Sequence, residues 1–308
     1  MNFAVPHVSA VRSVELGVND LDASAAFYQE TWLLEEVART PSAVYLRGAG
    51  AEHHIFAVHA GRPFGLVRIN LATADRASVD ALHDSLVAAA VPIVHGPRDL
   101  DEPGGGYAFA FTDSEGREFR VVAGVPDHAD VDHTPDRPGK ISHIVLNADA
   151  ASGSAPLFCD KLGFRLRDQT ARANFVGCNA DHHSLAFGRV GGSAINHVAF
   201  EVPTLDGEMR AAGRMKRGGH PIEWGIGRHG PGANVFAYFI DPNGYAIEYT
   251  TEMQQVDDAT YVPGNPETWK RAPHSDAWGT ADGPTERFRD AITGKLGAEI
   301  SAKAGVPC

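Results

Sequence analysis

The chain repeats itself at an interval of about 130 residues, and a repeat of that length fixes the architecture before any local motif is weighed. VRSVELGV at residues 11–18 corresponds to ISHIVLN around His143, LVRINLAT to INHVAFEV around His197, and FTDSEGREFRV to FIDPNGYAIEY around Glu248. Ser13 thereby stands opposite His143, Arg68 opposite His197 and Arg120 opposite Glu248, at offsets of 130, 129 and 128. A fourth pair, AEHHIFAV at 51–58 and ADHHSLAF at 180–187, is offset by 129. The pattern implies two homologous domains, and only the second keeps two histidines and a carboxylate at the corresponding points.

A length of 308 residues allows two domains of ordinary size, each with its own core. Each half divides again into units ordered as strand, helix and further strands. The first reads as VRSVELGV, the helix DLDASAAFYQETWL, then AVYLRG and HHIFAV; the second as LVRINLAT, ASVDALHDSLVAAA, GYAFAFTD and EFRVVAG. Units beginning near Ile141 and Ile195 follow the same order. The expectation is an α+β protein of four βαβββ modules paired into two homologous domains, residues 1–130 and 131–270, with a helix-bearing tail over 271–308. Val125 to Lys140, rich in Pro, Asp and His, reads as the linker. Beyond Asp257 the irregular text is expected to wrap over the second domain. PTERFRDAITGKLGAEISAKAG then reads as one helix with interruptions at Gly294 and Gly297.

A net charge of −12 without a Lys/Arg cluster argues against nucleic acid as a partner. No stretch approaches the roughly 18 apolar residues of a membrane span, and MNFAVPHVSAVRS does not read as a secretory signal. The expected location is the cytoplasm. Cys159, Cys178 and Cys308 are odd in number and lack CxxC spacing, so reduced thiols are expected rather than a disulfide framework or a thiolate zinc site. A reducing compartment also suits an iron(II) site.

Strand alternation groups His143 with Val145 and Asn147, His197 with Ala199, and Glu248 with Ala246 and Thr250, so each polar residue sits mid-strand among small or apolar neighbours. A single histidine on a strand is ordinarily a hydrogen-bonded core residue. Two histidines and a glutamate at equivalent points of three repeat segments form instead the facial triad of non-haem iron(II) enzymes that activate dioxygen. Zinc hydrolases use the same ligand types, so the triad alone leaves the reaction open. Ser13, Arg68 and Arg120 cannot ligate a cation together, because arginine stays protonated, and a metal-free first domain is expected.

HHSLAFG, INHVAFEV, GRHGPG and FAYFIDPNGYAIEY occur in one order and spacing between about Val11 and Asp257. On these segments the chain resembles the two-domain extradiol ring-cleavage dioxygenases of the vicinal oxygen chelate superfamily, the catechol 2,3-dioxygenase and dihydroxybiphenyl dioxygenase group. The resemblance implies two vicinal-oxygen-chelate domains and ring cleavage of a catecholic substrate by dioxygen to a hydroxymuconic-type semialdehyde. It makes His143, His197 and Glu248 the ligands of Fe(II), with Mn(II) suiting the same set. His183, His229 and Tyr238 match the family's acid/base and hydrogen-bonding residues. His183 is the member of the His182–His183 pair that matches the acid/base position, and His182 is expected against the substrate. His53 and His54 repeat the pair in the first domain without ligands beside it, so a pair by itself also suits packing. Relatives of this kind are commonly homo-oligomers.

A glyoxalase-like isomerase shares the fold but generally uses two carboxylates among four ligands, which Ser13 and Arg68 do not help to supply. A metal-free binding module of the same fold would not need the triad. Some relatives that cleave carboxylated catechols place an arginine a few residues before the position of His229, and here EWGIGRH has Trp224 there. Trp224 is therefore expected to wall an uncharged, substituted catechol.

Overall fold

Among the described residues, sixteen strands carry the repeat into two eight-stranded sheets of identical topology. The computed structural model describes residues 6–148, 154–270 and 275–305; Cys308 lies outside the described residues. The first domain runs β1 (Val8–Gly17), α1 (Leu21–Ala26, continued by a π turn over Phe27–Thr31), β2 (Glu35–Thr40), β3 (Ala43–Arg47), β4 (Phe56–His59), β5 (Gly65–Thr73), α2 (Arg76–Ala88), β6 (Ile93–Asp99), β7 (Tyr107–Thr112) and β8 (Glu118–Ala123). The second runs β9 (Lys140–Asn147), α3 (Ser154–Lys161), β10 (Arg165–Gln169), β11 (Ala173–Gly177), β12 (Leu185–Gly188), β13 (Ile195–Glu201), α4 (Leu205–Arg217), β14 (Trp224–Arg228), β15 (Val235–Ile240) and β16 (Ala246–Thr251). The tail adds α5 (Pro266–Lys270), α6 (Glu286–Ile292) and α7 (Lys295–Lys303). Among the described residues no helix is long and apolar enough to cross a membrane.

The sheet orders are β2-β3-β4-β1-β5-β8-β7-β6 and β10-β11-β12-β9-β13-β16-β15-β14. Each is two βαβββ modules joined where their first strands run antiparallel, β1 on β5 and β9 on β13. The α+β class and the paired modules agree with the sequence reading. Register makes the repeat physical: Ser13 faces Asn70 and Asn70 faces Arg120, as His143 faces Ala199 and Ala199 faces Glu248. Helix starts are set by side-chain caps. Asp20, Asp75 and Thr204 accept from the backbone N–H of Ala23, Ser78 and Gly207, satisfying donors that a helix leaves open.

Aromatic side chains join the domains. Trp32, fully buried, stacks on Tyr249 at 3.7 Å, and Phe64 stacks on Tyr245 at 4.2 Å. The Tyr28 hydroxyl donates to Asp241 at 3.0 Å. The stretch 125–139 has no regular element, yet it is tied down: Ala49 N–H donates to the Pro138 carbonyl at 2.7 Å, and Asp136 pairs with Arg214. The tail differs from the expected single helix interrupted twice. The break falls at Gly294, whose φ of 79° ends α6, whereas Gly297 lies inside α7, where the missing side chain admits the Phe64 ring.

One buried group opposes the rest of the core. α4 presents Ala211, Ala212 and Met215 to the sheet, and beside them the fully buried Glu208, whose two carboxyl oxygens have no hydrogen-bond partner. Burial, reinforced by the charges of Glu248 and Glu252, pushes its pKa up to about 9 from an ordinary 4.5. Below 4.5 both folded and unfolded chains hold this proton. As pH rises toward about 9 only the unfolded chain releases it, so stability is lost across that window, by at most ~1.4 kcal/mol per pH unit. Glu208→Gln is expected to raise the melting temperature at the alkaline end and flatten the profile. Urea unfolding across the window checks this, and an unchanged slope would count against it.

Candidate metal centre and its cavity

β9, β13 and β16 lie side by side in the middle of the second sheet, and each carries one candidate ligand onto the same face. His143 Nε2 and His197 Nε2 both stand 3.3 Å from Glu248 Oε2. The three donor atoms lie within 4.8 Å of one another, and all three residues are buried. Among the described residues no other group of three or more His, Cys, Asp or Glu is so arranged. His197 Nε2 and Glu248 Oε2 have no hydrogen-bond partner, which at full burial is costly unless a cation sits between them.

The other nitrogens are committed. His143 Nδ1 bonds Ser142 Oγ at 3.3 Å, and His197 Nδ1 donates to Asn196 Oδ1 at 2.8 Å, an outer partner that leaves Nε2 as the lone-pair donor. Burial works to raise the Glu248 pKa, but the attraction of His143 and His197 outweighs it and holds the carboxyl well below the usual range. Two imidazoles and one ionised carboxylate fit Fe(II) or Mn(II). In the first domain Arg120, at the position of Glu248, pairs with Glu102, and Arg68 lies 3.4 Å from the buried Glu15.

A cavity of about 220 Å³ opens over the triad. His183, His229, Tyr238 and Trp224 form part of its wall, and Val145, Phe175 and Ala186 give it an apolar lining. Tyr238 faces Glu248 across β15 and β16, and Trp224 lies parallel to the Tyr238 ring at 5.2 Å. His229 donates from Nδ1 to the Ser275 carbonyl at 3.0 Å and accepts the Tyr238 hydroxyl at Nε2, also at 3.0 Å. Burial pushes His229 down to about 4. Burial, then the neighbouring imidazoles, holds His183 well below the usual histidine value, while burial and then the Glu248 charge raise Tyr238 well above the usual phenol value.

The structure thus gathers seven of the eight residues singled out from sequence and moves one. His182, expected against the substrate, does not line the cavity. It is fully buried behind His183, because the segment before β12 is not extended and the two rings diverge at 89°. Sequence reasoning also missed Arg172 at the rim, Asp168 and Tyr261 behind His182, and Ser275, whose segment carries no periodic signal. Metal analysis after anaerobic loading is expected to give one tightly held Fe(II) or Mn(II) per chain, with affinity weakened roughly 100-fold or more in Glu248→Ala. Two tight ions per chain, or undiminished uptake by the variant, would sink this assignment.

The chain is similar to known proteins in sequence and in shape. Metapyrocatechase 2 of Cupriavidus necator is 26% identical over 199 residues, a match spanning 57% of this chain and 61% of that protein's length. The iron-dependent extradiol dioxygenase of Rhodococcus jostii (strain RHA1) is 28% identical over 218 residues, 62% of this chain and 71% of that one. The crystal structure of the Mn(II)-bound glyoxalase from Novosphingobium aromaticivorans superposes with a TM-score of 0.84 at 36% identity, covering 91% of this chain and 94% of that one. The family model matches residues 6–121 and 140–249, the spans of the two sheets, and the chain belongs to the Glyoxalase/Bleomycin resistance protein/Dioxygenase superfamily.

Proposed function

We propose that the chain is an extradiol dioxygenase that opens a catecholic ring with both atoms of dioxygen, with Fe(II), or Mn(II) in its place, held by His143, His197 and Glu248. The observation that carries this reading is a buried two-histidine, one-carboxylate set beneath a cavity whose other polar groups, His183, His229 and Tyr238, suit the handling of a diol's protons. His143, His197 and Glu248 would hold a divalent ion, which would supply Lewis acidity toward a diol hydroxyl and a centre for activating dioxygen. His183, neutral and buried, is placed to take a diol hydroxyl proton and to give it back to a substrate oxygen during turnover. Because the Ser275 carbonyl takes the His229 Nδ1 hydrogen, His229 accepts from Tyr238, and the phenol oxygen keeps a lone pair for the second hydroxyl. The wall of Trp224 and Phe175 orients the ring, so that position rather than random encounter sets the rate. The names of the Cupriavidus and Rhodococcus relatives support the activity, and the Novosphingobium structure supports manganese as a fitting ion.

Because one relative is named a glyoxalase, a metal isomerase is the second reading. The centre offers one carboxylate, and the first domain contributes only Ser13, Arg68 and Arg120 at the matching points, so the two-carboxylate pattern of that chemistry is not met. For substrate we favour an uncharged, substituted catechol, since Trp224 and its apolar neighbours line the interior and Arg172 stands at the exposed rim. We place the chain in the cytoplasm on its free Cys159 and Cys178, and the resemblance adds a homo-oligomer.

Iron(II)-loaded protein given 3-methylcatechol in air is expected to consume oxygen in step with ring and to form a yellow product. His183→Phe should lower kcat by about 10²–10⁴-fold with iron content retained. Iron-replete protein that takes up no oxygen but isomerises a methylglyoxal–thiol hemithioacetal would transfer the assignment to the second reading. A better specificity constant for a carboxylated catechol would overturn the substrate preference alone.

A further inference from the structure

The geometry points to Asp168 as a positioning residue that fixes, through His182, which nitrogen of His183 carries its hydrogen, an inference that rests on the dioxygenase reading for its consequence in catalysis. His182 and His183 meet Nδ1 to Nδ1 at 3.1 Å, so one ring must donate and the other accept. What lies behind His182 decides the direction. Its Nε2 is 3.1 Å from Asp168 Oδ2 and 2.9 Å from the Tyr261 hydroxyl. A carboxylate only accepts, and Asp168 is 1% exposed, with its other oxygen already taking the Gly264 N–H. His182 therefore carries its hydrogen on Nε2, pointing at Asp168. Its Nδ1 is left as the acceptor, His183 must donate from Nδ1, and His183 Nε2 is left as a lone pair for the cavity. That is the tautomer a proton acceptor needs.

The first domain supplies an internal comparison. His53 and His54 repeat the contact, Nδ1 to Nδ1 at 3.0 Å. The position of Asp168 is alanine there: Ala38 faces Tyr45 just after a register shift in β2, as Asp168 faces Phe175 just after the matching shift in β10. Tyr261 and Gly264 also come from the segment after β16, whereas in the stretch after β8 it is the His128 ring that stacks on His53, at 5.6 Å. The histidine pair is common to both domains, and the acid that orients it occurs only where the metal triad does.

Removing Asp168 leaves Tyr261, whose hydroxyl can donate to His182 Nε2 and reverse the chain. Long-range proton–nitrogen correlation spectra of the histidine rings, in full-length protein loaded with diamagnetic zinc(II), read this directly and without turnover. The wild type is expected to show His183 protonated at Nδ1, and Asp168→Ala to move that hydrogen to Nε2. Tyr261→Phe, which removes the competing donor, should keep the wild-type pattern, and it serves as the test should Asp168→Ala not fold. His183 protonated at Nε2 in the wild type, no change in Asp168→Ala, or a switch in Tyr261→Phe would each overturn the inference. With iron(II) and catechol, Asp168→Ala should lose kcat on the order of 10²-fold at little cost in KM. Failure of the dioxygenase reading would remove that kinetic result and leave the spectra intact.

Discussion

Two imidazole nitrogens approach one oxygen of a fully buried carboxylate, and much of the second domain exists to keep them there. An uncompensated charge at such depth costs several kcal/mol, so the site is tolerated only where a cation, or its equivalent, is available. Among the described residues the second domain places no cationic side chain against Glu248, and its three donor atoms could hold a metal ion. The first solves the same problem with covalently attached charge: Arg68 and Arg120 stand at the ligand positions and meet Glu15 and Glu102. One sheet geometry thus accepts either a metal or an ion-pair network, and the choice rests on a few side chains per domain.

The metal face depends on what packs behind it. Because side chains alternate along β16, Ile247 and Tyr249 project away from Glu248 into the interdomain core. Tyr249 is pinned there by the Trp32 ring and receives a hydrogen bond from Arg214 at 3.1 Å. A slip of one residue in β16 would exchange Glu248 for Tyr249 and bury the wrong group on each face. The first domain thus packs, through Trp32, against the face of β16 opposite Glu248.

Much of this was legible in the sequence, for identifiable reasons. The four modules could be read because strand alternation and the 130-residue repeat are both periodic signals, and the clustered His143, His197 and Glu248 because they fall at equivalent points of that repeat. His182 was misplaced because alternation says only that adjacent side chains diverge, not which of them meets the cavity. Asp168 was invisible as one of 39 acidic residues, brought to His182 by an irregularity in β10 and by a parallel bridge to Gly264, 96 residues on. Gly297 was read as a helix breaker from propensity, whereas tertiary packing uses its bare backbone to seat Phe64.

Because the two sheets share their topology and register, the copy that holds two histidines and a carboxylate differs from the other in a few side chains and in the chain that follows its last strand. The ligand identities are one part. The segment after β16 is the other: Tyr261 and Gly264 close around Asp168 and His182, and the Ser275 carbonyl orients His229. Asp276 ties that stretch to β14 by accepting the backbone N–H of Arg228 at 3.0 Å, together with those of Trp278 and Ala281. Of the two histidines proposed to handle protons, His229 is thus oriented from outside the duplicated framework, by Ser275, and His183 from within it, by Asp168 of β10 acting through His182. A duplicated sheet supplies rigid points for a metal, but ring tautomers depend on hydrogen-bond partners that must be built around it, and in this chain the tail builds several of them.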